Sequence, residues 1–487
     1  MREKAEAMHW IRGEWLAEGQ CRESIDPATG QVIGYYHDAP VATMQLAIDA
    51  AAEAFAGSPW KDDAYLRATA LGRLADAFAS RQHEVVDTLC AENGKIRPEA
   101  TFEASLIPRA LRFVSGLAMH NFGRVVESRP GQQAMSIREA VGVAGLIIPW
   151  NSPAYLCIRA LAPALAAGCT AVVKMPHQAA QTAALLAGII ASVPELPRGV
   201  VNIVTESGAD GARLLVDSPL VPAVSFTGST ATGRAIARAA ADRLKRVGLE
   251  LGGKTPHLIF DDADLAAVLP VLEKSCTVFA GQFCMTGSRV LVQRGIADAV
   301  RSGLAQRLQA VRVGPARETS SQMGPLIDKA AVARVDKVVE ASIAAGARVL
   351  VRGGPALDDP ALAGGAFYRP TLLEIADQRL PIAREETFGP VQTLQVFDTE
   401  ADAIALANDS DYGLSACVWS RDADRPIRVA RRLQAGLISI NSWANLAVEM
   451  EEGGFKSSGL GRLGGLASVE DFLEYKQITQ DFFPHHH

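Results

Sequence analysis

From Val141 onward the chain changes its hydrophobic rhythm, and that change limits the folds open to it more than any other feature. Short apolar runs at Gly142 to Ile148, Ala171 to Lys174, Val200 to Val204 and Ala223 to Phe226 alternate with helical stretches centred on Leu161, Leu185 and Leu214. Short apolar runs suit strands buried on both faces, and amphipathic stretches between them suit crossover helices, so the alternation predicts βαβ units and a parallel sheet. A nucleotide-binding domain is the natural reading. After Gly252 a second series begins, with strand-like runs at Val290 to Val292, Ala347 to Val351 and Val391 to Val396 and helices around Leu304 and Val338. No fixed-period repeat or low-complexity tract separates the two series, so Gly252-Gly253 reads as a tight hinge. Ahead of both, the turn-rich Asp26 to Gln31 gives way to helical periods at Val41 to Phe55 and Tyr65 to Glu92, with Gly94 as a stop. The tail Asp471 to Phe483 is more apolar than a fraying end should be, and is expected to pack on another subunit or on its own core.

Composition narrows the classes of function. The 487 residues suffice for roughly two to four domains, none needing disulfide or metal staples. Lys and Arg number 48 against 54 Asp and Glu, for a net charge of −6. They are scattered, so no basic stripe exists to neutralise a phosphate backbone, and nucleic acid is excluded as a partner. No apolar stretch approaches the roughly 20 residues of a membrane span. The opening MREKAEAMHWIRGEW has charge but no apolar run behind it, so a cytoplasmic protein with no membrane partner is expected. The seven cysteines are dispersed, without a CxxC or a Cys/His cluster. They read as reduced thiols with no metal site: one candidate nucleophile and six buried packing residues. His485 to His487 look like a purification-tag remnant.

Five segments carry possible chemistry, and each has a plainer alternative. In GQFCMTGSR, Cys284 sits among glycines that could place its sulfur at a turn or helix start. A free thiol is only a few per cent ionised at pH 7, so a nucleophile there needs exposed amides, a helix N-terminus or a nearby base. A buried packing cysteine is the plainer reading. In ELGGKTP, Glu250 ends a strand, where restricted hydration would raise its pKa and make it a base for water; the alternative is a surface charge. In IPWNSP, Asn151 ends an apolar strand, where its amide could donate to an oxyanion or simply form a turn. SFTGSTATG, Ser225 to Gly233, passes from strand to helix through small residues that could open backbone N–H groups to a phosphate, or merely let a helix pack closely. Lys174 closes another strand, within reach of a ribose or phosphate or exposed to solvent.

Together, and in chain order, DPATG, IPWN, FTGST, ELGGK, GQFC, EETFGPV and GGFKSSGLGR resemble the NAD(P)-dependent aldehyde dehydrogenases of the non-acylating type over nearly the whole chain. The resemblance implies an α/β fold of two doubly wound α/β domains plus a small β oligomerisation or bridging element. Residues 1–119 and 141–252 would form a split NAD(P)-binding domain, 253–455 the cysteine-bearing catalytic domain, and 120–140 with 468–484 the bridging segments of a homodimer or homotetramer. It also implies a covalent reaction on a small-molecule aldehyde. Cys284 attacks, the Asn151 amide and the Cys284 backbone N–H stabilise the oxyanion, hydride passes to the nicotinamide, and water activated by Glu250 hydrolyses the thioester. By the same likeness Trp150 and Ser229 meet the pyrophosphate, Lys174 the adenosine ribose, and Glu386 and Phe388 the nicotinamide ribose. His177, Thr227, Gly228, Gly233 and Leu251 complete the cofactor side. Coenzyme A-acylating relatives generally lack the general base, so Glu250 argues against that class. A thioester or ester hydrolase would need only Cys284 and Glu250, and a non-enzymatic binding role would leave Cys284, Glu250 and Asn151 without purpose.

The departures from the family pattern set the finer expectations. Many members read Lys-Pro-Ser/Ala-Glu where this chain has Lys174-Met175-Pro176-His177. Without that carboxylate an added 2′-phosphate meets no like charge, so NADP should be tolerated, with NAD slightly preferred. Many members carry Lys and Glu where this chain has Ala160 and Leu463, so a polar path near the general base would lose both ends, and proton release would take another route. Arg159 stands about two helical turns past Asn151. It could pair with a substrate carboxylate, stack on a ring or form a structural ion pair. The succinate-semialdehyde type usually has a further Arg six residues before the cysteine, where this chain has Val278. With Tyr155, Phe279, Phe283 and Trp443, Arg159 forms the expected wall of the aldehyde pocket, and Glu449, Glu451 and Glu452 could make the entrance acidic enough for amino-aldehydes.

Overall fold

The structure, a computed structural model, describes residues 5–482, so His485 to His487 and the question of a tag lie outside the described residues. The expected apolar runs form the middle of an eight-stranded sheet. Its order is Gly459–Leu460, Arg246–Glu250, Ala223–Thr227, Val143–Ile147, Thr170–Pro176, Val201–Glu206, His9–Ile11 and Glu14–Leu16. From Arg246–Glu250 to Val201–Glu206 the neighbours run parallel, and antiparallel pairs close both edges. Val143–Ile147 is buried at every position, as a strand covered on both faces must be.

Helices Val41–Gly57 (α1), Ala64–Ser80 (α2), Gln82–Thr88 (α3) and Arg97–Ala118 (α4) precede the parallel strands, and Pro153–Ala167 (α5), Ala180–Ala191 (α6), Asp210–Asp217 (α7) and Thr230–Ala241 (α8) lie between them. Helix α5 starts on Pro153, whose missing N–H is spare in a first turn, and stops at Gly168, which takes a left-handed cap at φ +98°. The helix expected over Tyr65 to Glu92 is broken. Arg81 leaves helical geometry at φ −109°, ψ 17°, and a π-helical turn at Leu89–Asn93 leads into Gly94 at φ +74°. Helix α4 has no counterpart among the expected elements. Pro98 and Pro108 interrupt its sequence pattern, yet Pro98 falls in the spare first turn and the helix runs on through Pro108.

A seven-stranded sheet orders Arg348–Val351, Thr371–Glu374, Val391–Phe397, Arg289–Gln293, Pro256–Ile259, Ser415–Trp419 and Leu437–Ile440, parallel except for its first pair. Helices Leu265–Thr277 (α9), Ala297–Gln309 (α10) and Lys329–Ala344 (α11) accompany it, and α9 and α10 share with its central strands a core that includes Leu272, Val300, Val290 and Leu394. A third sheet pairs the hairpin Arg124–Arg129 and Gln132–Ala140 with the tail strand Leu473–Asp481, in register from Leu473 opposite Ala140 to Asp481 opposite Gln132. Phe472 and Leu473 are buried, while Val125, Val126, Tyr475, Ile478 and Phe482 are exposed.

The cysteines need one correction. Cys157, Cys169, Cys276 and Cys417 are buried, but Cys21 is exposed on the outer strand Gln20–Ile25 of a three-stranded sheet, and Cys90 is half-buried. All seven are free thiols. Among the described residues, no cluster of three or more His, Cys, Asp or Glu side chains could hold a metal ion, and no helix is long and apolar enough to cross a membrane.

Candidate active site

The IPWNSP segment leaves Val143–Ile147 and turns into α5, which brings Asn151 against the cysteine loop. Asn151 is buried, and its Nδ2 donates to the carbonyl of Gln282 at 3.0 Å. An amide nitrogen has two protons, so one remains for a further acceptor. The loop itself follows α9 through three residues with positive φ, namely Phe279 and Ala280 at 52° and Gly281 at 71°. Only glycine fits at the third, because a Cβ there would lie 2.2 Å from the Gly389 carbonyl carbon. Cys284 emerges partly exposed. Burial pushes its thiol up to about 12; the Arg159 charge opposes this, while Glu386, Glu250 and Glu452 add to it. The resting sulfur is therefore a neutral thiol at pH 7, and its proton must leave as it attacks.

Glu250 ends the strand Arg246–Glu250 and is buried. Burial pushes its carboxyl up to about 8, with Arg159 and Arg462 pulling it down and Glu452 and Asp471 pushing it up. Arg159 is thus the cation common to Cys284 and Glu250. Its Nη1 lies 2.6 Å from Glu452 Oε1, both side chains being nearly buried, and its Nη2 donates to Thr227 Oγ1 at 3.4 Å. Burial alone would lower the Arg159 pKa, but Glu452 and Glu250 hold it above its ordinary value. Of the roles open to Arg159, the ion pair is the one its surroundings realise. Glu452 and Leu463 exchange two backbone hydrogen bonds at 2.7 and 2.9 Å. The charged pair therefore sits one residue from Ala160 and directly across from Leu463, which puts charge beside Glu250 although those two positions are apolar.

On the other side of the site, Ser229 caps α8 by accepting from Thr232 N. Gly228 donates its N–H to the Glu250 carbonyl at 3.0 Å, and a Cβ at Gly228 would strike the Phe226 ring at 2.4 Å. A Cβ at Gly233 would strike Leu251 Cδ2 at 2.4 Å, so the two motifs are locked by their missing side chains. Lys174, expected to close its strand, lies within it, since the strand runs on to Pro176; its Nζ is 4.0 Å from Glu206, and burial lowers its pKa. His177 stacks on Tyr36 at 6.1 Å, its pKa lowered by burial and then by Lys174. Trp150 and Phe388 meet edge to face at 5.4 Å. Glu386 Oε1 accepts from Gly253 N at 3.1 Å, and burial pushes its carboxyl up to about 7. The N-terminus of α8 and the lysine on the neighbouring strand offer positive charge suited to the phosphates of a dinucleotide.

Tyr155 and Arg159 line an open pocket with Phe113, Val448, Met450 and Glu452, a lining that does not include Cys284, Asn151 or Glu250. At its rim Arg109 and Glu449 pair through two nitrogens, the shortest contact being 2.9 Å. Phe279, Phe283 and Trp443 form an edge-to-face row with centroids 5.6 and 5.9 Å apart, and Trp443 Nε1 donates to the Met285 carbonyl. Phe279, with a left-handed backbone, is buried and also borders a small cavity with Lys95, Glu99 and Asn151. Thr227, expected on the cofactor side, also serves Arg159. Lys95, Glu99 and Glu103 escaped sequence reasoning, because charges spaced four apart on a helix ordinarily mark a solvated face.

Comparison with known proteins agrees with this geometry. The sequence model of the Aldehyde dehydrogenase family matches residues 15–478. The betaine aldehyde dehydrogenase of Bacillus subtilis is 34% identical over 98% of this chain and 97% of its own. The succinate-semialdehyde dehydrogenase [NADP(+)] GabD of Escherichia coli is 36% identical over 96% of each. Among solved structures, betaine aldehyde dehydrogenase from Staphylococcus aureus in complex with NAD+ superposes with a TM-score of 0.95 at 32% identity, covering 98% of this chain and 95% of the other. With the family's motifs in order and its fold over the whole described length, this chain belongs to the aldehyde dehydrogenase family.

Proposed function

We propose that the chain oxidises a neutral aldehyde with an apolar or aromatic body to its carboxylic acid with NAD or NADP, using Cys284 as nucleophile, Asn151 as oxyanion donor and Glu250 as general base. The observation that carries this reading is the contact of Asn151 with the cysteine loop at 3.0 Å, beside a carboxyl that burial has pushed up to about 8. Cys284 Sγ bonds to the aldehyde carbon while its proton passes to the Glu250 carboxylate, which releases it to solvent before water attacks, and the free Asn151 N–H and the Cys284 amide receive the developing oxyanion. The nicotinamide, when bound, accepts the hydride. Glu250, as carboxylate, then takes a proton from water as its oxygen attacks the thioester. The C–S bond breaks, the acid leaves and the thiol is restored. The Cys284 thioester confines hydrolysis to this site, so a free-standing hydrolase is not required, and Glu250 makes water rather than coenzyme A the acceptor.

The charge balance of the pocket supports a neutral substrate. Arg159 is matched by Glu452 and Arg109 by Glu449, so a substrate carboxylate finds no unpaired cation on this wall. Phe113, Tyr155, Val448 and Met450 offer apolar contact instead. The test follows nicotinamide reduction with benzaldehyde, succinate semialdehyde and betaine aldehyde, with and without coenzyme A. The aromatic aldehyde should lead by about tenfold or more in kcat/KM, since each unpaired buried charge costs at least that much. A lead for succinate semialdehyde sinks the neutral-substrate reading, and dependence on coenzyme A sinks the hydrolytic one.

Trp150, Lys174, His177, Thr227, Gly228, Ser229, Gly233, Leu251, Glu386 and Phe388 would hold the cofactor, with the phosphates at the N-terminus of α8. Lys174 beside the uncharged His177 leaves room for a 2′-phosphate, so NAD should lead NADP by less than about a hundredfold in kcat/KM. A larger ratio, measured with one saturating aldehyde, refutes this. We assign 1–119 and 141–252 to the cofactor domain, 253–455 to the catalytic domain, and 120–140 with 468–484 to an oligomerisation element. The exposed Val125, Val126, Tyr475, Ile478 and Phe482 support burial against another copy in a dimer or tetramer. Seven unpaired thiols suit a reducing compartment such as the cytoplasm.

A further inference from the structure

Three charged side chains at four-residue spacing, Lys95, Glu99 and Glu103, are all buried, at 3%, 9% and 1% exposure. Charges are expensive to bury unless each is held by partners, so their partners reveal what they do. Glu103 Oε1 accepts the first-turn amides of α5, Ala154 N at 3.0 Å and Tyr155 N at 3.2 Å, and its other oxygen meets Lys95 Nζ. Lys95 Nζ also donates to Ser152 Oγ at 3.1 Å and lies 3.8 Å from the centre of the Phe279 ring. Glu99 Oε1 accepts from Phe279 N at 2.8 Å. One face of α4, with Lys95 two residues ahead of it, thus touches both halves of the site, the turn after Asn151 and the loop before Cys284.

Phe279 opens the run of three positive-φ residues, a conformation that side-chain-bearing residues adopt only when something holds them there. Its amide donates a hydrogen bond to Glu99, a contact placed to provide such a hold. Immediately downstream come Gln282, whose carbonyl accepts from Asn151, and then Cys284. The second oxygen of Glu99 is buried without a hydrogen-bond partner, Glu99 borders the small cavity shared with Asn151 and Gln282, and the loop amide heads the backbone contacts of its carboxyl, ahead of Ile96.

We propose that Glu99 is a positioning residue for the reaction: by holding the Phe279 amide it sets the left-handed turn that presents Cys284 to Asn151, while Lys95 and Glu103 tie the same helix to the Asn151 side. This rests on the reading of Cys284 as nucleophile. The test compares Glu99→Gln, which keeps an acceptor oxygen in place, with Glu99→Ala, which removes it, and with Glu99→Asp, which keeps the charge but draws the oxygen back. Each full-length variant is assayed for kcat, for KM of NAD, and for the rate of iodoacetamide labelling of Cys284, well below its melting temperature.

Displacing reacting groups by about an ångström costs on the order of a hundredfold, so Glu99→Ala should lose at least about tenfold in kcat, with KM for NAD changed by less than about threefold. Glu99→Gln should stay within about threefold of wild type, and Glu99→Asp should fall at least about fivefold below Gln. If the alanine variant does not fold, the Asp and Gln pair decides. Equal kcat in those two, an alanine variant as fast as wild type, or a loss confined to KM overturns the proposal. Failure of the wild-type chain to oxidise any aldehyde would instead overturn the catalytic reading, and iodoacetamide labelling, which needs no substrate, separates the two failures.

Discussion

Cys284→Ala should lower aldehyde turnover by at least about 10⁴-fold and abolish the first-turnover burst of reduced nicotinamide, because no second nucleophile can form the covalent intermediate. The other six cysteines offer no substitute. Cys157, Cys169, Cys276 and Cys417 are sealed in the core, Cys21 lies on an outer strand, and Cys90 is half-buried against the core with burial raising its pKa. Alanine removes one sulfur from a partly exposed position, so folding and dinucleotide binding should survive, and both are checked by melting temperature and by cofactor-induced quenching of tryptophan fluorescence. Retained turnover in a folded, cofactor-binding variant would mean that the chemistry does not pass through this sulfur.

Glu250→Gln should separate the two halves of the reaction. The burst should persist at about one reduced nicotinamide per site, while steady-state turnover falls by about 10²- to 10⁴-fold, the range general-base catalysis supplies. The sign of the pH dependence follows from the burial of the group. Its carboxyl is pushed up to about 8, chiefly by desolvation, and only the deprotonated form accepts a proton from water. Wild-type hydrolysis should therefore rise with pH through about 8, and the glutamine variant should lose that limb. Arg159 pulls the Glu250 pKa down and Glu452 pushes it up, so Arg159→Leu should move the limb to higher pH and Glu452→Gln to lower pH. A wild-type profile flat from pH 6 to 9 on the hydrolytic step, resolved by stopped flow, would remove Glu250 from the role of base.

Motifs bounded by glycine and proline were legible because backbone chemistry is local. Pro153 and Gly168 mark the ends of α5, and Gly228 and Gly233 mark the strand-to-helix turn before any contact is known. Helix α4 was not legible: Pro98 and Pro108 break its pattern, and Lys95, Glu99 and Glu103 look like solvated charges until the α5 N-terminus and the cysteine loop are laid on them. The left-handed backbone at Phe279 was hidden for a related reason, since the carboxyl that accepts from its amide lies 180 positions away.

Two classes of information therefore divide. The sequence by itself determined the parallel α/β architecture, since strand and helix periods and glycine turns are written in neighbouring residues, and it pointed to the reaction class through the family resemblance carried by the motifs around Asn151, Glu250 and Cys284. Only the tertiary structure decided the electrostatics. It paired Arg159 with Glu452 across 293 positions at 2.6 Å, set that pair one residue from Ala160 and opposite Leu463, and buried Glu250 among Arg159, Arg462, Glu452 and Asp471. Charge interactions in a low-dielectric site depend on distance and burial rather than on sequence separation, and both arise only when the sheets, α4 and α5 pack together.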